Sequence, residues 1–123
     1  MNNQLKFGVW MDSQQAVIVG SDASENSILV IKAKVNGEEI SPSASEKNEH
    51  NQKKSIQAKY FKEITAHMQN AIHVHITGTG IAQEQFMHYL ADTPQFKNTP
   101  TSECTSNRMS DEELLEFMQD KLN

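Results

Sequence analysis

The chain has one cysteine, Cys104, among its 123 residues, so no disulfide can form within it. A single free thiol fits a reducing compartment. There is no apolar run near the roughly 20 residues that a membrane helix needs, and the first twenty residues lack the basic start and apolar stretch of a secretory signal. These absences predict a soluble, cytoplasmic protein with no membrane partner. Positive charge is also in short supply. The 11 Lys and Arg are outnumbered by 16 Asp and Glu, a net charge of −5 with His neutral. That counts against broad nucleic-acid binding, which depends on cations displacing counterions from phosphates.

What is present is one domain's length of chain, enough for a core without disulfides or a structural metal. The residues Phe7-Gly8-Val9-Trp10-Met11 predict a first strand, 16–20 a second and 27–35 a third. Alternation in the third places Leu29, Ile31, Ala33 and Val35 on one face. Short polar links between these strands predict an antiparallel meander. Residues 36–52, "NGEEISPSASEKNEHNQ", are poor in apolar groups and predict a polar, flexible loop. From 53 to 69 a stripe of Ile56, Tyr60, Phe61, Ile64 and Met68 predicts a helix. A fourth strand follows at 71–77, with Ile72, Val74 and Ile76 on one side and His73, His75 and Thr77 on the other. Then come a helix at 82–91, a fifth strand at 99–105 and a final helix opened by Ser110-Asp111-Glu112-Glu113, a capping box. The order βββ-α-β-α-β-α predicts an α/β mixed sheet with helices packed on it, spanning residues 1–123 as a single domain. There is no internal repeat.

Several residues invite a chemical reading. His73 and His75, two apart on a strand, would leave one face about 7 Å apart. Zinc accepts such a pair, but a catalytic site needs a third protein ligand. Asp12 is the nearest plausible carboxylate, while His50, His67 and His88 fall on other elements. The plainer alternative is that His73 and His75 line a partly exposed sheet face or a subunit contact. Gly78-Thr79-Gly80, at a strand-to-helix turn, could bring backbone amides to an anion. A dinucleotide fingerprint would need a glycine where Gln83 stands, and the lysine of a P-loop is absent, so no nucleotide cofactor is expected. Cys104 has no histidine near it in sequence. Carboxylate groups such as Glu38-Glu39 and Asp111-Glu112-Glu113 are accounted for by solvation and helix capping. Lys47, Lys53, Lys54, Lys59 and Lys62 crowd one quarter of the chain, a solvated face or a local basic patch.

Three stretches, "KFGVWMDSQQAVIV", "IHVHITGTGIAQEQF" and "SNRMSDEELLEFMQDKL", together resemble a group of small bacterial proteins related to the middle domain of eukaryotic and archaeal class I peptide-chain release factors and of Pelota. The matching motifs are Gly8-Val9-Trp10-Met11-Asp12, Gly78-Thr79-Gly80-Ile81-Ala82-Gln83 and Arg108-Met109-Ser110-Asp111. The resemblance implies an RNase H-like mixed sheet. It also implies that the loop after the third strand, here 36–54, is the functional one. In release factors that loop carries Gly-Gly-Gln into the ribosomal peptidyl-transferase centre. Here it holds only Gly37 and no Gly-Gly-Gln, so ester hydrolysis is not carried over. Gln83 stands where the family has lysine, and Thr79 where it has proline. The expectation is a non-enzymatic binding module without cofactor. Its partner would be the ribosome or RNA, and Lys47, His50, Gln52, Lys53 and Lys54 would form the binding loop. Two other outcomes stay open: a metal-dependent hydrolase or nuclease using His73, His75 and Asp12, and a protein–protein adaptor or homodimer without chemistry.

Overall fold

The computed structural model describes residues 5–12, 14–21, 29–37, 46–69 and 71–122, and the side chains of these apart from 5 and 46–55. The elements run β1 (Leu5–Met11), β2 (Gln15–Ser21), β3 (Leu29–Asn36), α1 (Glu46–Ala66), β4 (Ala71–Gly78), α2 (Ile81–Asp92), β5 (Thr101–Thr105) and α3 (Asp111–Leu122). The five strands form one sheet in the order β3-β2-β1-β4-β5. The opening meander is antiparallel, whereas β4 pairs parallel to β1 and β5 parallel to β4. This is the α/β mixed sheet that the order of elements predicts.

Alternation along the strands gives the sheet two covered faces. On one, Phe7, Val9, Met11, Ile18, Val74 and Ile76 pack under Tyr60, Phe61, Ile64 and Met68 of α1 and its end, and under Phe86 and Leu90 of α2. On the other, Trp10, Val19 and Leu29 meet Leu114, Met118 and Leu122 of α3. α3 is pinned at several points. The Ser110 hydroxyl accepts from the Glu113 amide at 3.2 Å, and the Glu113 carboxylate accepts from the Ser110 amide at 3.4 Å, the reciprocal cap expected of this sequence. Lys6 Nζ donates to the Leu122 carbonyl at 3.0 Å, and Trp10 Nε1 to the Asn107 carbonyl at 3.2 Å. Among the described residues, no helix is long and apolar enough to cross a membrane.

Three expectations need correction. The register slips between Ile18 and Val19 where β2 meets β3, so the alternation in β3 breaks at Lys32. Leu29 and Ile31 therefore lie against α3, while Ala33 and Val35 join the opposite cluster, and the four do not share a face. A second slip, between Leu5 and Lys6, passes over Ile72, which is 40% exposed instead of buried with Val74 and Ile76. α1 starts at Glu46, not at 53, so 46–52 are helical and the predicted loop is shorter at that end. Glu, Lys and Gln are good helix formers, yet an apolar stripe cannot reveal helical turns that carry none. Residues 38–45, the rest of that loop, lie outside the described residues.

Candidate functional site

The chemistry-bearing side chains that the structure gathers lie between β4 and β5, on the face under α3. Parallel pairing sets His75 beside Ser102 and Thr77 beside Cys104. His75 Nδ1 lies 2.7 Å from Ser102 Oγ, and its Nε2 lies 3.3 Å from Cys104 Sγ. Cys104 Sγ also reaches Thr77 Oγ1 at 3.4 Å, and Thr77 Oγ1 lies 2.6 Å from Ser106 Oγ. At the other end His73 Nε2 is 3.4 Å from Ser102 Oγ. The result is a continuous polar row, His73–Ser102–His75–Cys104–Thr77–Ser106.

Its surroundings grade from wet to dry. His73 and Cys104 are half-buried, whereas His75 is 4% exposed and Thr77 is sealed. The Phe117 ring of α3 sits 6.1 Å from the His75 ring, and Lys121 Nζ lies 5.5 Å from the centre of Phe117. Burial holds the His75 pKa below the ordinary histidine value, and the positive charges of Lys121 and His73 push it the same way. The imidazole is therefore neutral near neutral pH, with one ring nitrogen donating and the other accepting. Half-buried His73 fits the partly exposed sheet face expected of the pair, but His75 does not. α3 of the same chain covers it.

The glycine turn follows directly. A Cβ on Gly78 would run into the Met11 carbonyl, and Gly80 takes φ +129°, a conformation L side chains rarely adopt. α2 then opens beside an open depression of about 440 Å³ bordered by Gly80, Ile81, Glu84 and Glu103. Gln83 is buried there, and its Nε2 donates to the Cys104 carbonyl at 2.8 Å and to Glu103 Oε2 at 3.4 Å. So Gln83 ties α2 to β5. The two glutamates beside the helix start oppose the anion that Gly78-Thr79-Gly80 could otherwise attract.

Asp12 lies elsewhere. Its Oδ1 accepts from the Gln14 and Gln15 amides, both at 2.8 Å, and its carbonyl accepts from the Tyr60 hydroxyl at 3.0 Å. Burial, helped by the Asp12 charge, pushes the Tyr60 pKa far up and keeps the hydroxyl a donor. Since Met11 pairs with Gly78 and Gly8 with His75, Asp12 stands four residues past His75 along parallel strands, roughly 13 Å. The structure does not bring His73, His75 and Asp12 together. Among the described residues, no group of three His, Cys, Asp or Glu could hold a metal ion. Lys47, His50, Gln52, Lys53 and Lys54 all fall in the first half of α1, with side chains outside the described residues. Sequence reasoning missed the nearness of Cys104 to His75. The signal was the parallel crossover, which puts the alternate residues of β4 and β5 side by side.

No protein-family model matches the chain, and no curated protein matches it by sequence. Solved structures do. The Pelota protein of Thermoplasma acidophilum superposes with a TM-score of 0.62 at 20% identity, covering 94% of this chain and 32% of that one. Pelota of Archaeoglobus fulgidus gives a TM-score of 0.64 at 11% identity over 98% of this chain and 32% of that one. An archaeal translation termination factor gives 0.63 at 12% identity, over 98% of this chain and 35% of that one. This chain spans about a third of the length of the structures it matches. The likeness shows a fold of the release-factor and Pelota type.

Proposed function

We propose that this protein is a non-enzymatic binding module of the release-factor middle-domain type, with the ribosome or its RNA as partner. The observation that carries the reading is the superposition of nearly the whole chain on one third of Pelota and of a termination factor. Charge placement supports it. The α1 sequence holds five lysines against three glutamates in a chain that is acidic overall, and its first turns fall within 36–54, the segment to which the family resemblance assigns the functional loop. A local cluster of cations is what phosphate contact requires, even on an acidic protein. With no Gly-Gly-Gln in that segment, the module binds without promoting ester hydrolysis.

The test is co-sedimentation with ribosomes across a salt series. We expect association at low salt that weakens steadily as salt rises. Lys53→Glu with Lys54→Glu should weaken it further at every salt concentration. Absence of any association with ribosomes or RNA at low salt overturns the proposal.

A further inference from the structure

Positive charge gathers at one end of the face under α3, and it comes from three separate elements. Lys6 on β1 pairs in parallel register with His73 on β4, which sets their backbones about 5 Å apart. Alternation puts both on the α3 face, since their neighbours Phe7 and Val74 pack on the other. Lys6 reaches the last turn of α3, where its Nζ donates to the Leu122 carbonyl at 3.0 Å. Lys121 belongs to the same turn and extends along Phe117, with Nζ 5.5 Å from the ring centre. Phe117 in turn lies against His75, two residues along β4 from His73.

The chain does little to neutralise this group. Among the described residues, no carboxylate forms an ion pair with Lys6, His73 or Lys121, although the sequence carries 16 Asp and Glu against 11 Lys and Arg. Glu116 and Asp120 of α3 each stand two residues from buried Met118, so at about 100° per residue they point away from the sheet. Glu103 of β5 alternates to the other face, where Gln83 meets it. The accumulated charge is felt next door: after burial, the charges of Lys121 and His73 are what hold the His75 pKa down.

Donors remain to be used. A lysine ammonium has three, and Lys6 gives one to Leu122. Lys121 is exposed and gives none to a described residue. His73 turns Nε2 toward Ser102 Oγ at 3.4 Å, and its Nδ1 has no partner among the described residues. Lys6, His73 and Ser102 are half-buried, so a ligand can meet them at the surface. The last carbonyls of α3 oppose an anion at this end. Lys6 offsets that opposition at its source by bonding the Leu122 carbonyl.

We propose that Lys6, His73 and Lys121 form a binding site for a single phosphate group. Donors from three elements suit an anion whose oxygens point in several directions, whereas a carboxylate offers two oxygens in one plane. Free phosphate and an RNA backbone both present this chemistry, and the test separates them. The site lies on the face opposite α1, so it neither needs nor repeats the ribosome contact proposed there.

The experiment titrates the full chain, labelled for amide NMR, with inorganic phosphate and separately with a short single-stranded RNA, both at low salt. Phosphate should give saturable shifts centred on Lys6, His73 and Lys121 that chloride at equal ionic strength does not reproduce. Lys121→Gln changes an exposed side chain and should weaken binding roughly threefold or more, while Lys121→Arg should retain it. Lys6→Gln, folded by circular dichroism, should weaken it likewise. Lys62→Gln, an exposed change on α1, should leave it unaltered, as should Lys53→Glu with Lys54→Glu, so this site and the α1 reading fail separately. RNA that binds more tightly than phosphate and is lost in the same variants assigns the site to an RNA backbone. RNA that binds no better assigns it to free phosphate. The proposal is overturned if neither ligand gives saturable shifts at these residues, if folded Lys121→Gln and Lys6→Gln bind as the wild type does, or if Lys62→Gln weakens binding as much.

Discussion

The two faces of the sheet are built from the same strands and differ in what covers them. One lies under α1 and α2 and is sealed by a cluster in which Phe61 meets Phe86 edge-on at 5.1 Å and Tyr89 at 5.4 Å. The other lies under α3 alone, a 12-residue helix that buries Leu114, Met118 and Leu122 and then passes over a row of hydroxyls, imidazoles and a thiol. Apolar packing fixes the fold on the first face, and polar groups are stored on the second. Perturbations of the two should therefore differ in kind as well as size.

The largest effect should come from the first face. Phe86 is fully buried, and Phe86→Ala should cost about 3–5 kcal/mol in urea unfolding, because rigid neighbours leave a cavity behind. Met118→Ala, at the centre of the other face, should cost about 2 kcal/mol, the low end for such truncations, since a single covering helix can settle onto a shorter side chain. An equal or greater loss for Met118→Ala would break the contrast between the faces.

The second face should also carry a pH dependence between neutral and mildly acid pH, because it buries His75. His75 has its pKa lowered by burial and by Lys121 and His73, so the folded state disfavours the proton that the unfolded chain accepts near 6.5. The stability linked to His75 is present in full above that value. It is lost as the pH falls from there through the lowered folded value, at about 1.4 kcal/mol for each unit of lowering. Urea midpoints measured from neutral to mildly acid pH should fall with this sense, and His75→Gln should flatten the slope. A slope of opposite sign would mean that His75 is stabilised as a cation.

The sequence made the first face legible because its residues obey simple periods. The stripe Tyr60, Phe61, Ile64, Met68 and the alternation of Phe7, Val9 and Met11 point straight to their contacts. It misled at the two register slips, where one extra residue moves Leu29 and Ile31 away from Val35 and leaves Ile72 exposed. Nothing local marks such a slip, because it is set by the partner strand. The second face was legible only in part. His73 and His75 share a side as their spacing requires, but alternation alone does not say whether a helix covers that side. The partnership of His75 with Cys104 joins residues 29 apart in sequence, and it emerges only once the register of β4 on β5 is known.

The smallest effect tests how α3 is held over the polar row. Ser110 caps the helix through the Glu113 amide, so Ser110→Ala should cost about 1 kcal/mol. The Ser110 side chain is exposed, so the change removes no buried apolar contact. If α3 is what keeps water from His75, loosening its first turn should also reduce the pH slope of stability, because a partly hydrated imidazole titrates closer to its unfolded value. The double change Ser110→Ala with His75→Gln should then cost less than the sum of the two single changes near neutral pH. A cap that lowers stability by the expected amount while leaving the pH slope unchanged would show that Leu114, Met118 and Leu122 hold α3 in place, and that His75 is sealed by the body of the helix rather than by its start.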